Sequence, residues 1–457
     1  MFDFLVVGGR VAGSSTAILL AQHGYRVALV DRDRHPSPTL STHVFGDWEA
    51  FAALDVLDDP RLASAPAIRR FRTDIEGCVT EADMTATPYA RALRREVLDQ
   101  LLIERARSFD TVSWWGDTRV TDLRWQDGGV TGTVLTSDGR QVSLPARYVV
   151  GADGRNSYVA RAVDAETYLT RPRTRCAYYA YFSGVVPAGL PTLEYYWHGI
   201  DVVIVAPCDG ELHCVCVMPP ESEFAGWRQE HRERFDGLLS AIPTLAPRLA
   251  GATQVGPVRG TANLESYLRV PGGPGWALVG DAGAAVHPCI GAGIDHAVVS
   301  AGLFAAAAHR HLGAGQPWSA VMADYRSARD ARIRPTLEAA IRLARRPPVP
   351  PENIPWLRFL LGTPGMSHDV GHRVVDVIRD IAGEEAVGRL AALVGQDVPA
   401  AGPPPSANGS APDGSAPDGS AAGGQVAVGN GRTARGDALA VPAALPGSSP
   451  GRSQGEV

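Results

Sequence analysis

The sequence predicts an α/β fold: a βαβ opening built on a glycine turn, a mainly antiparallel β-sheet inserted into it, a helical C-terminal part and a disordered tail. Three observations carry that reading. The chain opens with a continuous apolar run, Phe4-Leu5-Val6-Val7, followed by Gly8-Gly9 and an alanine- and leucine-rich stretch to His23. Two later apolar runs also stop at a glycine with an aspartate close behind it, Tyr148-Val149-Val150 before Gly151-Ala152-Asp153-Gly154 and Trp276-Ala277-Leu278-Val279 before Gly280-Asp281. Between them, Thr174 to Pro219 alternates at period two, with Tyr179 and Tyr181, then Leu212, Cys214, Cys216 and Met218.

Taken in order, Phe4–Val7 is a strand, the stretch to His23 is a helix closed by Gly24 as a C-cap, and Tyr25 to Val30 is a second strand ending at Asp31. That is a βαβ unit. After Gly293 the pattern turns helical, over Ala297–Leu312, Ser319–Arg346 and Val370–Val394, with the cluster Pro347–Pro355 separating the last two. From about Ala400 the chain holds no Phe, Trp, Tyr, Ile or Met. Such a segment buries too little apolar surface to offset its ordering entropy and is expected to be disordered. The expected organisation is a discontinuous cofactor-binding domain (1–70, 94–172 and 260–345), a substrate domain (71–93 and 173–259), a helical segment (346–398) and the tail (399–457).

Composition excludes several function classes. With 43 basic against 49 acidic residues the net charge is -6, so no domain-wide basic field exists to hold nucleic acid or anionic lipid. Lysine is absent and all 43 basic residues are arginine. Schiff-base, pyridoxal-phosphate and P-loop chemistry each need a lysine at the reacting centre, and all three are out. The six cysteines form no C-x-x-C pair, and Cys214 with Cys216 has strand-face rather than zinc-ligand spacing, so reduced thiols and no metal are expected. Met1-Phe2-Asp3-Phe4 lacks the basic start of a secretory signal, and Ala297–Ala308 falls short of the ~20 residues a bilayer span needs. The expected location is the cytoplasm.

The chemistry begins at the first turn, Gly8-Gly9-Arg10-Val11-Ala12-Gly13, set against the dinucleotide template G-x-G-x-x-G. Gly8 allows the tight turn, and Gly13 lets helix and strand pack closely while the helix N-terminus receives a pyrophosphate. Arg10 stands at the second template glycine, where its side chain either pushes the pyrophosphate away or supplies a guanidinium contact, with Gly9 providing the missing flexibility. Asp31, with Arg32 beside it, is placed to accept hydrogen bonds from an adenosine ribose. An ordinary glycine-rich turn remains the alternative on this motif alone. No second fingerprint exists to give NAD(P)H a domain of its own.

Together, this turn, Gly-Ala-Asp-Gly-Arg-Asn-Ser at 151–157 and Gly-Asp-Ala-Gly at 280–283 resemble the flavoprotein hydroxylases of the para-hydroxybenzoate hydroxylase type, the group A flavin monooxygenases, over nearly all of residues 1–345. The resemblance implies a Rossmann-like FAD-binding domain in which Asp281 binds the ribitol and pyrophosphate of FAD. It places Val286-His287-Pro288-Cys289-Ile290-Gly291-Ala292-Gly293 in the loop under the isoalloxazine, with Ile294 next to it; where the family usually has glutamine and asparagine, Ala292, Ile294 and Asp295 stand here. Gly291 and Gly293 start a helix whose unpaired N–H groups and positive dipole end face the flavin N1 and O2 edge, which stabilises reduced flavin. Arg95, in Arg94-Arg95-Glu96-Val97-Leu98-Asp99, matches the family's arginine that reaches toward the FAD ribose, and Asp153 lies at the strand end implicated in transient NAD(P)H binding. Such enzymes use NAD(P)H to reduce the flavin, bind O₂ as a C4a-(hydro)peroxyflavin and insert one oxygen atom.

Several residues keep two readings. His287 is a base or hydrogen-bond donor near the flavin loop, or a structural loop histidine. Ser41-Thr42-His43 sits where the family's loop touches flavin or substrate. Cys289 is a buried filler rather than a covalent flavin anchor. Tyr178, Tyr179, Tyr181, Phe182, Tyr195, Tyr196 and Trp197 either line an aromatic or polyketide pocket or pack core, and Arg326–Arg346 reads as a solvated helix face. The leading expectation is an FAD-dependent, NAD(P)H-consuming monooxygenase, a hydroxylase or epoxidase of a small hydrophobic or aromatic secondary metabolite. The alternatives are a double-bond reductase similar to the geranylgeranyl reductases and a non-redox cyclase on a flavin scaffold. Halogenation is excluded, since neither a lysine nor Trp-x-Trp-x-Ile-Pro is present.

Overall fold

A computed structural model describes residues 1–84, 86–126, 129–355 and 357. The expected helix Val370–Val394, the tail 399–457 and most of segment 346–398 lie outside the described residues.

Five parallel strands form the centre of the first sheet, in the spatial order Trp276–Leu278, Gln141–Gly151, Phe2–Val7, Val27–Val30, Val112–Trp115. Phe4, Leu5, Val6, Val27 and Leu29 are wholly buried, as continuous apolar strands covered on both faces should be. The chain runs from Phe2–Val7 to one side for its next two parallel strands and returns to the other side for Gln141–Gly151 and Trp276–Leu278. The strand order therefore reverses at the C-terminal end of Phe2–Val7, the point where doubly wound sheets bind ligands. The helix Val11–Gln22 follows that strand and packs on helices Arg95–Arg107 and Gly293–Ala314, so it is buried on nearly every side. Gly24, at φ 80°, ends it as expected. Gln141–Gly151 also carries an antiparallel extension, Gly129–Thr136 and then Thr118–Gln126.

The second sheet has seven strands, in the order Thr253–Thr261, Ala177–Ser183, Leu212–Met218, Asp201–Pro207, Thr192–His198, Arg70–Ile75, Cys78–Asp83. All pairings are antiparallel except Thr192–His198 with Arg70–Ile75. Period two sends Tyr179, Tyr195, Trp197, Leu212, Cys214, Cys216 and Met218 to one face, against Ile333, Leu337 and Ile341 of helix Trp318–Ala344. Tyr178, Phe182 and Tyr196 point to the other face, with Trp227, Phe235 and Leu239 of helix Phe224–Ala241. The aromatic cluster is thus divided between two cores by strand alternation and is not one pocket wall. A three-stranded sheet, Thr167–Arg171, Ser266–Arg269 and Ala284–Ala285, completes the architecture.

The reading of Arg326–Arg346 as a solvated face needs correction, most of all at Arg329, while Arg326 and Arg346 are half-buried over the Tyr168 and Trp197 rings. Arg332, Arg334, Arg342 and Arg345 are exposed, but Arg329 is buried to 1% exposure. Its guanidinium donates to the carbonyls of Arg269 at 2.8 Å and Gly283 at 3.4 Å and to the Tyr168 hydroxyl at 2.9 Å, and it pairs with Asp330 at 2.7 Å. Among the described residues no helix is long and apolar enough to cross a membrane.

Candidate cofactor site

A cavity of about 700 Å³ lies where the strand order reverses, a size typical of small-molecule and cofactor sites. Backbone geometry keeps its floor clear. Gly8 sits at φ 104°, and a Cβ there would lie 2.4 Å from the Ala152 carbonyl oxygen; a Cβ on Gly13 would lie 1.7 Å from the Gly8 carbonyl oxygen. Both positions require glycine. Two helices direct their N-termini to this region, Val11–Gln22 and Gly293–Ala314, and neither has a side-chain cap. Their unpaired N–H groups and positive dipole ends suit an anionic or electron-rich ligand. Gly291, in the left-handed region at φ 72°, turns the preceding loop into the second helix.

Of the residues singled out from sequence, Gly8, Arg10, Asp31, Arg32, Arg95, Asp153, Asp281, Pro288, Gly291, Gly293 and Ile294 line this one cavity. Gly9, Gly13 and Ala292 shape its walls from behind. The Gly9 N–H donates to Asp31 Oδ2 at 2.5 Å, Gly13 packs on Gly8, and Ala292 is the N-cap of the second helix.

Several side chains are engaged differently from expectation. Asp31 turns inward: besides Gly9 it accepts the Asp33 N–H at 2.8 Å, and His35 Nε2 lies 3.4 Å away. Burial raises its pKa, but His35 and the two backbone donors outweigh burial and hold it below the usual carboxylate range. Its first role is to pin the glycine turn. Arg10 lines the cavity with its guanidinium already held by Asp99 at 2.7 Å, Asp33 at 3.0 Å and Ser37 Oγ at 3.0 Å. Arg95 shares Asp99, at 2.7 Å. Arg32 is exposed beside Asp33 at 3.8 Å. Asp153 caps the turn that follows it, accepting the Tyr158 N–H at 2.6 Å and the Val159 N–H at 3.2 Å, and burial raises its pKa. Its other oxygen, Oδ1, is buried without a partner.

The two candidate catalytic histidines are corrected. His43 and His287 do not line the cavity; both are fully buried, and burial, then nearby arginines, push each pKa down to about 3. His43 Nε2 lies 2.7 Å from the Tyr181 hydroxyl, and His287 Nδ1 accepts the Cys289 N–H at 3.3 Å. A histidine that binds a proton so weakly is a poor general base at neutral pH. His43 Nδ1 and His287 Nε2 are buried without a partner, and the buried Cys289 thiol donates to the Ala340 carbonyl at 3.2 Å.

Arg155, within the 151–157 stretch, has a role that its motif does not show. Its guanidinium ties three segments together, donating to the Glu265 carbonyl at 2.6 Å and the Val286 carbonyl at 2.8 Å, with Asp281 at 3.4 Å. Thr118–Val120, Thr261 and Asn263 also line the cavity. They arrive from distant strands, and no local motif marks them.

The arrangement passes a test for a flavin dinucleotide. The glycine floor leaves room for backbone approach, two uncapped helix N-termini offer donors for phosphate and for a flavin edge, and Asp281 is exposed enough to accept a hydroxyl. These features define a dinucleotide-binding flavoprotein fold. The chain belongs to the FAD binding domain family, whose model matches residues 1–238 of 457.

It is 29% identical to digeranylgeranylglycerophospholipid reductase 2 of Methanothermobacter thermautotrophicus over 43% of this chain and 50% of that protein. It is 30% identical to aklavinone 12-hydroxylase RdmE of Streptomyces purpurascens over 36% of this chain and 35% of that protein. The matches span half or less of these relatives. Among solved structures, the flavin-dependent brominase Bmp2 superposes with a TM-score of 0.67 at 18% identity, covering 85% of this chain and 93% of that one, a likeness of fold.

Asp281→Ala is expected to weaken FAD affinity roughly 10- to 150-fold, the loss of one charge-assisted hydrogen bond, while Asp281→Asn keeps an acceptor and loses less. Titrating FAD into both apo-variants by flavin fluorescence measures the difference. If both bind like the parent, Asp281 makes no flavin contact.

Proposed function

We propose that this protein is an FAD-dependent monooxygenase that takes reducing equivalents from NAD(P)H and uses O₂ to hydroxylate or epoxidise a small hydrophobic or aromatic molecule, in the cytoplasm. The observation that carries the reading is the convergence of a glycine floor, two uncapped helix N-termini and Asp281 on one cavity at the strand-order reversal. FAD bound there supplies hydride acceptance and oxygen activation. The chain's own residues bind and orient it. The Val11 helix holds the pyrophosphate through its free N–H groups, Asp281 accepts a ribitol hydroxyl, and Arg95, braced by Asp99, keeps a cation on the ribose side. The N-terminus of the Gly293 helix favours negative charge on the flavin N1 and O2 edge. The seven-stranded sheet, drawn from residues 70–83 and 177–261, is the substrate domain in this reading.

The aklavinone hydroxylase relative supports an aromatic, polyketide-like substrate. The reductase relative supports a second reading, saturation of a carbon–carbon double bond. Product mass separates them. With NADPH, O₂ and a panel of aromatic polyketides and prenyl lipids, a gain of one oxygen supports oxygenation and a gain of two hydrogens supports reduction. A flavin that stays oxidised when mixed with NADPH and every substrate tried would sink both and favour a structural cofactor.

A further inference from the structure

The segment Thr39–Asp47, which includes the short strand Val44–Phe45 paired with Arg91–Ala92, forms one side of the cavity through Thr39, Leu40, Ser41, Thr42 and Val44. The Pro288–Gly293 loop lies against it: a Cβ on Gly291 would stand 3.9 Å from both Thr42 Oγ1 and Val44 Cβ. At its start the first segment is held by the Tyr179 hydroxyl, which donates to the Thr39 carbonyl at 3.2 Å. At its end it is held by Asp295, in the first turn of helix Gly293–Ala314. Asp295 Oδ1 accepts the N–H of Gly46 at 3.1 Å and of Asp47 at 3.1 Å, and Oδ2 lies 3.2 Å from the same Gly46 nitrogen.

We propose that Asp295 is a positioning residue for the flavin: by accepting these two backbone N–H groups it fixes the Thr39–Asp47 wall against the Pro288–Gly293 wall and sets the width of the cavity between them. The proposal rests on the reading that this cavity holds FAD.

The chemistry of the site explains why an acceptor without donors stands here. Both partners are N–H donors, and an ionised carboxylate offers acceptor positions alone. The carboxylate does not serve as an ion-pair partner: the cation from the neighbouring helix, Arg332, goes to Asp47 Oδ2 at 3.2 Å, while Asp47 Oδ1 caps the next helix by accepting the Ala50 N–H at 3.2 Å. His296, the next residue, is half-buried and has its pKa pushed down to about 4 by burial and then Arg332, so it brings no charge at neutral pH. Burial pushes the Asp295 pKa up to about 6, against the opposing effect of the Asp47 and Gly46 N–H donors; the Asp47 carboxylate adds to the rise and Arg332 offsets part of it. Ionising this carboxyl therefore costs more in the folded chain than in water.

The test compares the full chain with Asp295→Ala and Asp295→Asn. Hydrogen exchange in the peptide covering residues 39–47 is read in the apo-proteins, and FAD affinity by flavin fluorescence. Asp295→Ala should speed exchange and weaken FAD binding about tenfold or more. Asp295→Asn should restore a part of both, because Oδ1 can accept both N–H groups while the amide nitrogen would face the Gly46 N–H where Oδ2 now stands at 3.2 Å.

The parent should also lose melting temperature relative to the asparagine variant as pH rises toward about 6. A carboxyl whose folded pKa is raised contributes its stability below its unfolded pKa and loses it as pH climbs through about 6, whereas asparagine has nothing to lose. FAD binding that ignores Asp295→Ala, or an asparagine variant that melts no lower than the parent at neutral pH but loses FAD tenfold, overturns the proposal, and the second result decides even if the alanine variant does not fold. A parent protein that takes up no FAD overturns the cavity reading and this inference with it, a result distinct from FAD binding that is merely indifferent to Asp295.

Discussion

Gly13→Ala is expected to give a protein that holds no FAD and melts well below the parent. The added Cβ would stand 1.7 Å from the Gly8 carbonyl oxygen, a backbone atom that cannot rotate away like a side chain. Gly8 cannot yield easily either. Its N–H donates to the Val30 carbonyl at 2.7 Å, and its Cβ position is blocked by the Ala152 carbonyl at 2.4 Å. The strain must therefore move the first strand relative to the Val11 helix, at the place where the pyrophosphate is expected to dock. Overpacking a close-packed core costs about 1–3 kcal/mol, and a backbone collision belongs at or above the top of that range. FAD co-purification and apo-protein melting measure the two effects separately. Gly302→Ala is the control: its Cβ meets nothing within 4 Å inside helix Gly293–Ala314, so up to about 1 kcal/mol of stabilisation is expected there.

Arg329→Ala should destabilise the fold by about 3–5 kcal/mol without touching the cavity. The change removes the donor for the Arg269 and Gly283 carbonyls and for the Tyr168 hydroxyl, and it strips the cation from Asp330, whose side chain is only 22% exposed. Each orphaned buried acceptor carries its own desolvation penalty. Arg329→Met refills most of the volume without the donors, so the difference between the two variants separates packing from polar satisfaction. Chemical denaturation at neutral pH gives both values; a loss under 1 kcal/mol for both would show that water replaces the guanidinium.

How much of this was legible in the sequence depends on the range of the physics involved. The run Phe4–Val7, the glycines at 8 and 13 and the cap Gly24 state a strand, a tight turn and a helix end through local sterics alone, and these stand where they were expected. The alternation of Leu212, Cys214, Cys216 and Met218 states a strand face for the same reason. Which partner a polar side chain takes was not legible. Arg10 and Asp31 both line the cavity, but spacing did not tell that Arg10 also pairs with Asp99 and Asp33 or that Asp31 also accepts the Gly9 N–H.

The chain by itself determined the dinucleotide turn and the pattern of parallel and antiparallel strands, because each rests on spacing over a few residues, and the flavin family followed from the resemblance of its motifs. Tertiary structure alone decided that His43 and His287 are buried and poorly basic, that the aromatic cluster splits between two cores, and that Asp295 reaches back to Gly46 and Asp47. The reason is physical. Burial and hydrogen bonding depend on neighbours from distant parts of the chain, and spacing within one segment carries no record of which segment will lie against it.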